Sequence, residues 1–223
     1  MLQEPTSSDV RMRAPRAAAV AGIVFSLLLI ASVVLVRLSV PSDLRDRGAW
    51  LTSPSGSHVA LAMNLVPVAG VAFLWFIGVL RDRLGAREDK FFATVFLGSG
   101  LLFLSMLFMS AGLVGSILLA HAADPDRLDG SAIFSFARIA AYELLNIYAI
   151  KMAAVFMFVT STLAIRTRFI ARWIAFVGFA VAVVLMFSSR SNDWVVLVFP
   201  VWVLLVSLYI LIDHVSAANL RAA

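Results

Sequence analysis

Long apolar runs broken by short charged turns organise this chain. Six stretches, roughly 17–38, 59–80, 91–120, 136–165, 171–188 and 194–213, approach or exceed the ~20 apolar residues that a helix needs to cross a ~30 Å hydrocarbon core. The segments between them, PSDLRDRG, RDRLGARED, ADPDRLDG and SSRSND, collect charge and turn-forming residues. A run of this length in lipid must satisfy its backbone within itself, which selects helices over barrel strands. The expected fold class is therefore all-α, a polytopic transmembrane helix bundle of six spans. It forms one domain over 17–213, with a disordered cytoplasmic N-terminal tail (1–16) and a short cytoplasmic C-terminal tail (214–223).

Spans three and four are long for this task. Thirty residues make ~45 Å of helix, more than the hydrocarbon thickness. Either the two helices tilt, or their hairpin projects beyond the outer face with His121, Asp124, Pro125, Asp126 and Asp129 at its tip. The Asp-rich turn lacks the spacing and closing Glu of an EF-hand. Pro67 in span two and Pro200 in span six each remove a backbone donor and can bend a helix, Pro67 releasing the Met63 carbonyl. Small residues at helical spacing (Ala18, Gly22 and Ser26; Gly112 and Ser116; Gly178 and Ala182) mark ridges where helices can approach closely.

Composition agrees with lipid as the solvent, since 62% of the 223 residues are hydrophobic and only 14% are charged. A soluble domain has ~45–50% apolar and ~25% charged residues. The net charge of +5 sits in short loops, so it reads as membrane topology and excludes a nucleic-acid partner. With the N-terminus inside, eleven basic residues fall on the cytoplasmic side and five (Arg37, Arg45, Arg47, Arg127 and Arg190) opposite, which places both termini in the cytoplasm of an inner-membrane, multi-pass protein. Trp50, Trp173 and Trp194 fall near expected interfaces. The first span runs too long for a cleaved signal peptide and is not directly followed by an A-x-A site. Sixteen arginines against two lysines fit a GC-rich bacterial genome.

The fourth span breaks the apolar pattern. It carries Arg138, Tyr142, Glu143, Asn146, Tyr148 and Lys151, and an ionisable residue inside a span is a functional-site hypothesis by default. Counted from the cytoplasmic edges, Lys151, Asn64, Ser32 and Ser105 all fall about 21–24 Å deep. This common level defines a candidate polar layer in the outer third of the bundle. Arg138, Tyr142, Glu143 and Asn146 lie nearer the outer surface as candidate rim residues, either lining a site or marking where the helix leaves the membrane. For Lys151 two readings stand: snorkelling or pairing with another helix, and direct contact with a ligand or ion. Glu143 is a poor partner within the helix, because eight residues separate the two by ~12 Å along the axis and side chains lean toward the N-terminus.

Other chemistry is not encoded. There are no cysteines, and His58, His121 and His214 all sit at span ends, which argues against a haem, a metal centre or any other cofactor. Neither HExxH nor G-x-S-x-G occurs, so the reading leans away from an enzyme and names no catalytic residue. The layout carried by RAAAVAGIVFSLLLIASVVLVRLSVP, NLVPVAGVAFLWFIGVLRDRLG, REDKFFATVFLGSGLLF and IYAIKMAAVFMFVTSTLAIRTR resembles uncharacterised small six-span integral membrane proteins of actinobacterial type, to which no function is attached. The expected role is a non-enzymatic accessory or binding component. Beside the lipid bilayer, its partner is another membrane protein, a second copy of the chain, or a lipid-like or small polar ligand. A small solute or ion transporter or channel is the alternative, and an intramembrane enzyme ranks below both.

Overall fold

Apolar sequence with few helix breakers gives long, unbroken helices. The computed structural model describes residues 7–43, 46–84, 90–167, 171–187 and 193–222, and every regular element among them is helical. In chain order these are α1 (Ser7–Ser39), α2 (Pro54–Leu84), α3 (Lys90–Ala123), the short α4 (Pro125–Leu128), α5 (Ala132–Glu143), α6 (Ile150–Thr167), α7 (Arg172–Phe187) and α8 (Val198–Ala222). A π-helical turn, Leu144–Ala149, joins α5 to α6 in one continuous rod, and 3₁₀ turns at Ala49–Leu51 and Asp193–Leu197 lead into α2 and α8. α1 begins within the stretch expected as a tail and α8 runs through the expected C-terminal tail. Residues 1–6, 44–45, 85–89, 168–170, 188–192 and 223, on which part of the charge argument rests, lie outside the described residues.

Five helical segments are long and apolar enough to cross a membrane: Ala17–Ser39, Pro54–Arg81, Phe91–Ala123, Ala132–Thr167 and Asp193–Asp213. The remaining expected span, 171–188, is the 16-residue helix Arg172–Phe187. At 1.5 Å per residue it is ~24 Å long, less than a full hydrocarbon core.

Local signals set the helix starts. Pro54 opens α2, where a missing N–H costs nothing, and Ser53 Oγ accepts from the Ser55 amide at 3.2 Å. Asp124 caps α4 by accepting from the Arg127 amide at 3.2 Å, and Ser131 caps α5 by accepting from the Phe134 amide at 3.1 Å. Thus Asp124 is a cap, and Asp129 stands 2.9 Å from His121 Nδ1 across the same turn. Pro67 lies inside α2, as the sequence implies, whereas Pro200 falls in the first turn of α8 just after the 3₁₀ segment. There its lack of an N–H disturbs no intrahelical bond.

Packing follows the small-residue ridges in two of the three cases. Ala18 and Ser26 on α1 are fully buried, and Gly22 lies against Ser207 of α8 and Phe76 of α2. Gly178 of α7 lies against Ser161 of α6 and Trp202 of α8. Gly112 and Ser116 of α3 instead face outward, and a Cβ on Gly112 would meet nothing within 4 Å.

Two apolar clusters are stacked along the bundle. The larger is centred on Phe25, Phe73, Phe103, Phe156 and Phe199, drawn from α1, α2, α3, α6 and α8, with ring centroids as close as 4.5 Å for Phe25–Phe73 and 4.7 Å for Phe103–Phe199. The smaller contains Trp50, Leu51, Val59, Ile117, Leu128 and Phe134, and it caps the end carrying the α1–α2 and α3–α5 connections. Those two connections are tied together by the Gly130 amide, which donates to the Arg47 carbonyl at 3.1 Å. Gly130 can turn there because its φ of +70° suits a residue without Cβ.

Candidate functional site

The interval between the two clusters is not filled. A cavity of about 120 Å³ lies there, walled by Leu29 and Val33 of α1, Val66 of α2, and Leu107 and Val114 of α3. Phe25, Phe73 and Phe103 lie one or two turns further along the same three helices, so the phenylalanine cluster is its floor. At the opposite end the lining turns polar, with Arg37, Arg138, Tyr142, Asn146 and Asp193.

The rim is built from three chain segments. Arg37, in the last turn of α1, donates from Nη2 to Asn146 Oδ1 at 2.6 Å and places Nη1 3.7 Å from Asp193 Oδ2. Tyr142 donates its hydroxyl to Asp193 Oδ1 at 2.7 Å, and the Arg37 guanidinium carbon stands 5.9 Å from the centre of the Tyr142 ring. Asn146 lies within the π turn and donates from Nδ2 to the Tyr142 carbonyl at 2.9 Å. π turns are rare and recur at functional sites. This one also changes the angular phase of the helix, so a uniform 100° per residue misplaces the residues around it.

Arg138 anchors the lid side of the cavity. It is 8% exposed, donates from Nη1 to the Asp46 carbonyl at 3.0 Å and to Asp46 Oδ2 at 3.4 Å, and donates from Nη2 to the Pro41 carbonyl. A buried cation so bonded ties the α1–α2 connection to α5, where sequence alone also allowed a helix end leaving the membrane. Glu143 is partly buried and does not line the cavity. Outside the rim, Arg37 and Asp193 also border an open groove of about 360 Å³ along Ser39, Ser42 and Trp194. The Arg37–Asp193 pair is therefore a wall shared by an apolar chamber and a polar exterior.

The proposed polar layer divides. Ser32 is buried and lines the cavity, its hydroxyl bonded to the Leu28 carbonyl at 2.8 Å. Asn64 and Ser105 are exposed on the outside of the bundle and return their side chains to Ala60 and Leu101 carbonyls four residues back. Equal depth did not place them on a common face. Lys151 also lies away from the cavity: its Nζ donates to the Leu185 carbonyl at 3.4 Å and to the Met186 carbonyl. These are the last carbonyls of α7, where a cation is favourable both as a hydrogen-bond donor and against the helix dipole. The question of what Lys151 meets has a structural answer: the end of a short helix.

Several site residues were not singled out in the sequence. Arg37 and Asp193 could have been, since opposite charges flank the ends of two apolar runs that return to the same side. Ser110, buried and donating to the Ala141 carbonyl at 2.8 Å across helices, looks like any other span serine. Trp50 reads as an interfacial aromatic but is only 6% exposed and lines the cavity. Among the described residues no group of three or more His, Cys, Asp and Glu is arranged to hold a metal ion. No family model, curated protein or solved structure matches the chain.

Proposed function

We propose that the chain is a six-span protein of the bacterial cytoplasmic membrane, both termini cytoplasmic, which acts as a non-enzymatic binding component for a small lipid-like molecule at its outer end. In this reading α7 is the remaining span. Its C-terminal carbonyls stop short of the outer face, and Lys151 compensates them there. The excess of basic residues near the starts of the first, third and fifth apolar runs supports the orientation.

The observation that carries the function is the cavity itself: apolar walls, a polar rim at one end and an aromatic floor at the other. A void of about 120 Å³ is close in size to engineered apolar cavities of ~150 Å³ that take up benzene-sized molecules. A conducting role ranks second, because ions or polar solutes would need a path past Phe25, Phe73 and Phe199. Flux through reconstituted protein would reverse that order.

Photolabelling tests the binding reading. Protein in lipid nanodiscs, exposed to a diazirine-bearing decanol, is expected to be labelled at Val33, Leu107 or Val114, and Ala111→Phe, which fills the cavity, is expected to abolish that labelling. Labelling confined to outward-facing residues such as Trp75 and Phe91 would remove the cavity from consideration.

A further inference from the structure

Lipid offers no water to a polar side chain that faces outward, so each one must bond within its own helix or to a neighbour. Ser105, Ser116 and Thr162 face outward and manage this locally. Each gives its one hydroxyl hydrogen to the carbonyl four residues back. Asn64 makes the same local bond, donating from Nδ2 to the Ala60 carbonyl at 3.1 Å. A carboxamide, however, carries a second N–H and an accepting oxygen. Both are left without a partner among the described residues. Asn146, the other asparagine within the spanning segments, is matched on both sides, by Arg37 and by the Tyr142 carbonyl.

Asn64 lies too deep for its short side chain to reach water. The apolar segment of α2, Pro54–Arg81, makes ~42 Å of helix, and Asn64 stands ~15 Å from its nearer end. With the excess length shared between the two ends, the residue stays inside a ~30 Å hydrocarbon core. Pro67, one turn further on the same outward face, brings no N–H to the Met63 carbonyl. An acceptor is thus freed beside the carboxamide.

We infer that the chain pairs with a second copy of itself along the outward face of α2, with the two Asn64 carboxamides hydrogen-bonded to each other. Copies inserted in the same direction hold identical residues at identical depth. A two-fold axis along the membrane normal therefore sets one Asn64 opposite the other. The carboxamide is its own complement, because its free N–H and its oxygen match those of a second carboxamide. The surrounding surface suits such a contact. Leu61, Asn64, Val68, Val71, Trp75 and Gly78 recur at alternating steps of three and four, all exposed and none charged. This is the spacing of a seam between two parallel helices. At Gly78 a Cβ would meet nothing within 4 Å, so a facing backbone can come close toward the Arg81 end. The inference rests on the chain lying in lipid and is independent of the cavity. The bond joins folded copies, so the fold of each copy does not depend on it.

Single cysteines in the full chain, reconstituted in liposomes, test the face directly. Leu61→Cys and Val68→Cys are expected to give disulfide-linked dimers under mild oxidation. Val20→Cys on α1 and Val184→Cys on α7, also exposed, are expected to stay monomeric. Subunit counting by single-molecule photobleaching, over a range of protein-to-lipid ratios, measures the strength of pairing. Asn64→Leu is expected to associate about tenfold more weakly, as the loss of an interhelical side-chain bond implies. An unfolding midpoint equal to the parent's shows that this variant is folded, and the cysteine series decides the question with Asn64 in place. Four results overturn the inference: single copies at every ratio, association unchanged in Asn64→Leu, cross-linking as strong at position 20 as at 61, or, in native membranes, capture of a different protein at position 61 in place of a second copy. Failure of the membrane reading would look different, since all four cysteines would then react with a membrane-impermeant maleimide.

Discussion

Tyr142 donates its hydroxyl to Asp193 Oδ1 at 2.7 Å, joining the fourth apolar rod to the turn that opens the last helix. The same carboxylate faces Arg37 of the first helix, so three chain segments meet on one acceptor. Tyr142→Phe removes one bond and leaves the ring in place. It is expected to lower stability by about 1–2 kcal/mol, read as a lower unfolding midpoint in detergent. Asp193→Asn removes the carboxylate facing the partly buried Arg37, which is left with its bond to Asn146, and is expected to cost more. Because the residues share one network, the effects of Tyr142→Phe and Arg37→Met should be non-additive in a double-mutant cycle.

Lys151 is expected to act as a helix cap. Lys151→Met should speed amide hydrogen exchange over the last turn of α7, Val184–Phe187, while Lys151→Arg retains most of the protection. Neither variant should alter decanol labelling of the cavity. A change in labelling with unaltered exchange would return Lys151 to a ligand-contacting role. Asn64→Leu, at an exposed position, should leave both stability and labelling as they are.

Glycine substitutions should separate the packed ridges from the outward-facing one. A Cβ at Gly22 would stand 2.1 Å from Ser207 Oγ and 2.8 Å from Phe76 Cδ2. Gly22→Ala is therefore expected to destabilise by roughly 1–3 kcal/mol, the usual cost of overpacking. Gly112→Ala meets no neighbour within 4 Å and gains helix propensity. Thermal unfolding should rank it at or above the parent protein.

Topology can be tested by labelling single cysteines, since the chain contains none of its own. Cysteines at Arg83 and Asp126 should react with a membrane-impermeant maleimide from opposite sides of intact cells. Labelling of both from one side would break the six-span arrangement.

Helix class and approximate helix limits were legible because hydrophobic length is a one-dimensional property. A run long enough to span, bounded by PSDLRDRG or ADPDRLDG, has few folds open to it in lipid. Depth was counted in the same way and put Ser32 level with Lys151, whereas the structure brings Ser32 onto one cavity with Arg138, Tyr142 and Asn146. Depth says nothing about azimuth. Asn64 and Ser105 share that level yet face outward, and Lys151 turns to α7. The π turn at Leu144–Ala149 has no sequence period of its own, so the rotation it adds to the rod could not be counted in advance.

The order of apolar and charged segments was enough to establish an all-helical chain suited to a membrane, because burying unsatisfied backbone in lipid leaves no cheaper option. The sequence also marked the fourth rod as chemically unusual through Arg138, Tyr142, Asn146 and Lys151. Which of these act together was decided by tertiary packing. Arg37 and Asn146, 109 residues apart, meet only when α1 lies beside the π turn. Asp193 comes within reach when α8 starts at the same end, and Trp50 becomes an unmatched donor only when its turn folds over the bundle. Hydrogen bonds need positions within a few ångströms and a defined direction. Those positions are set by how several helices pack against one another, which no single segment encodes.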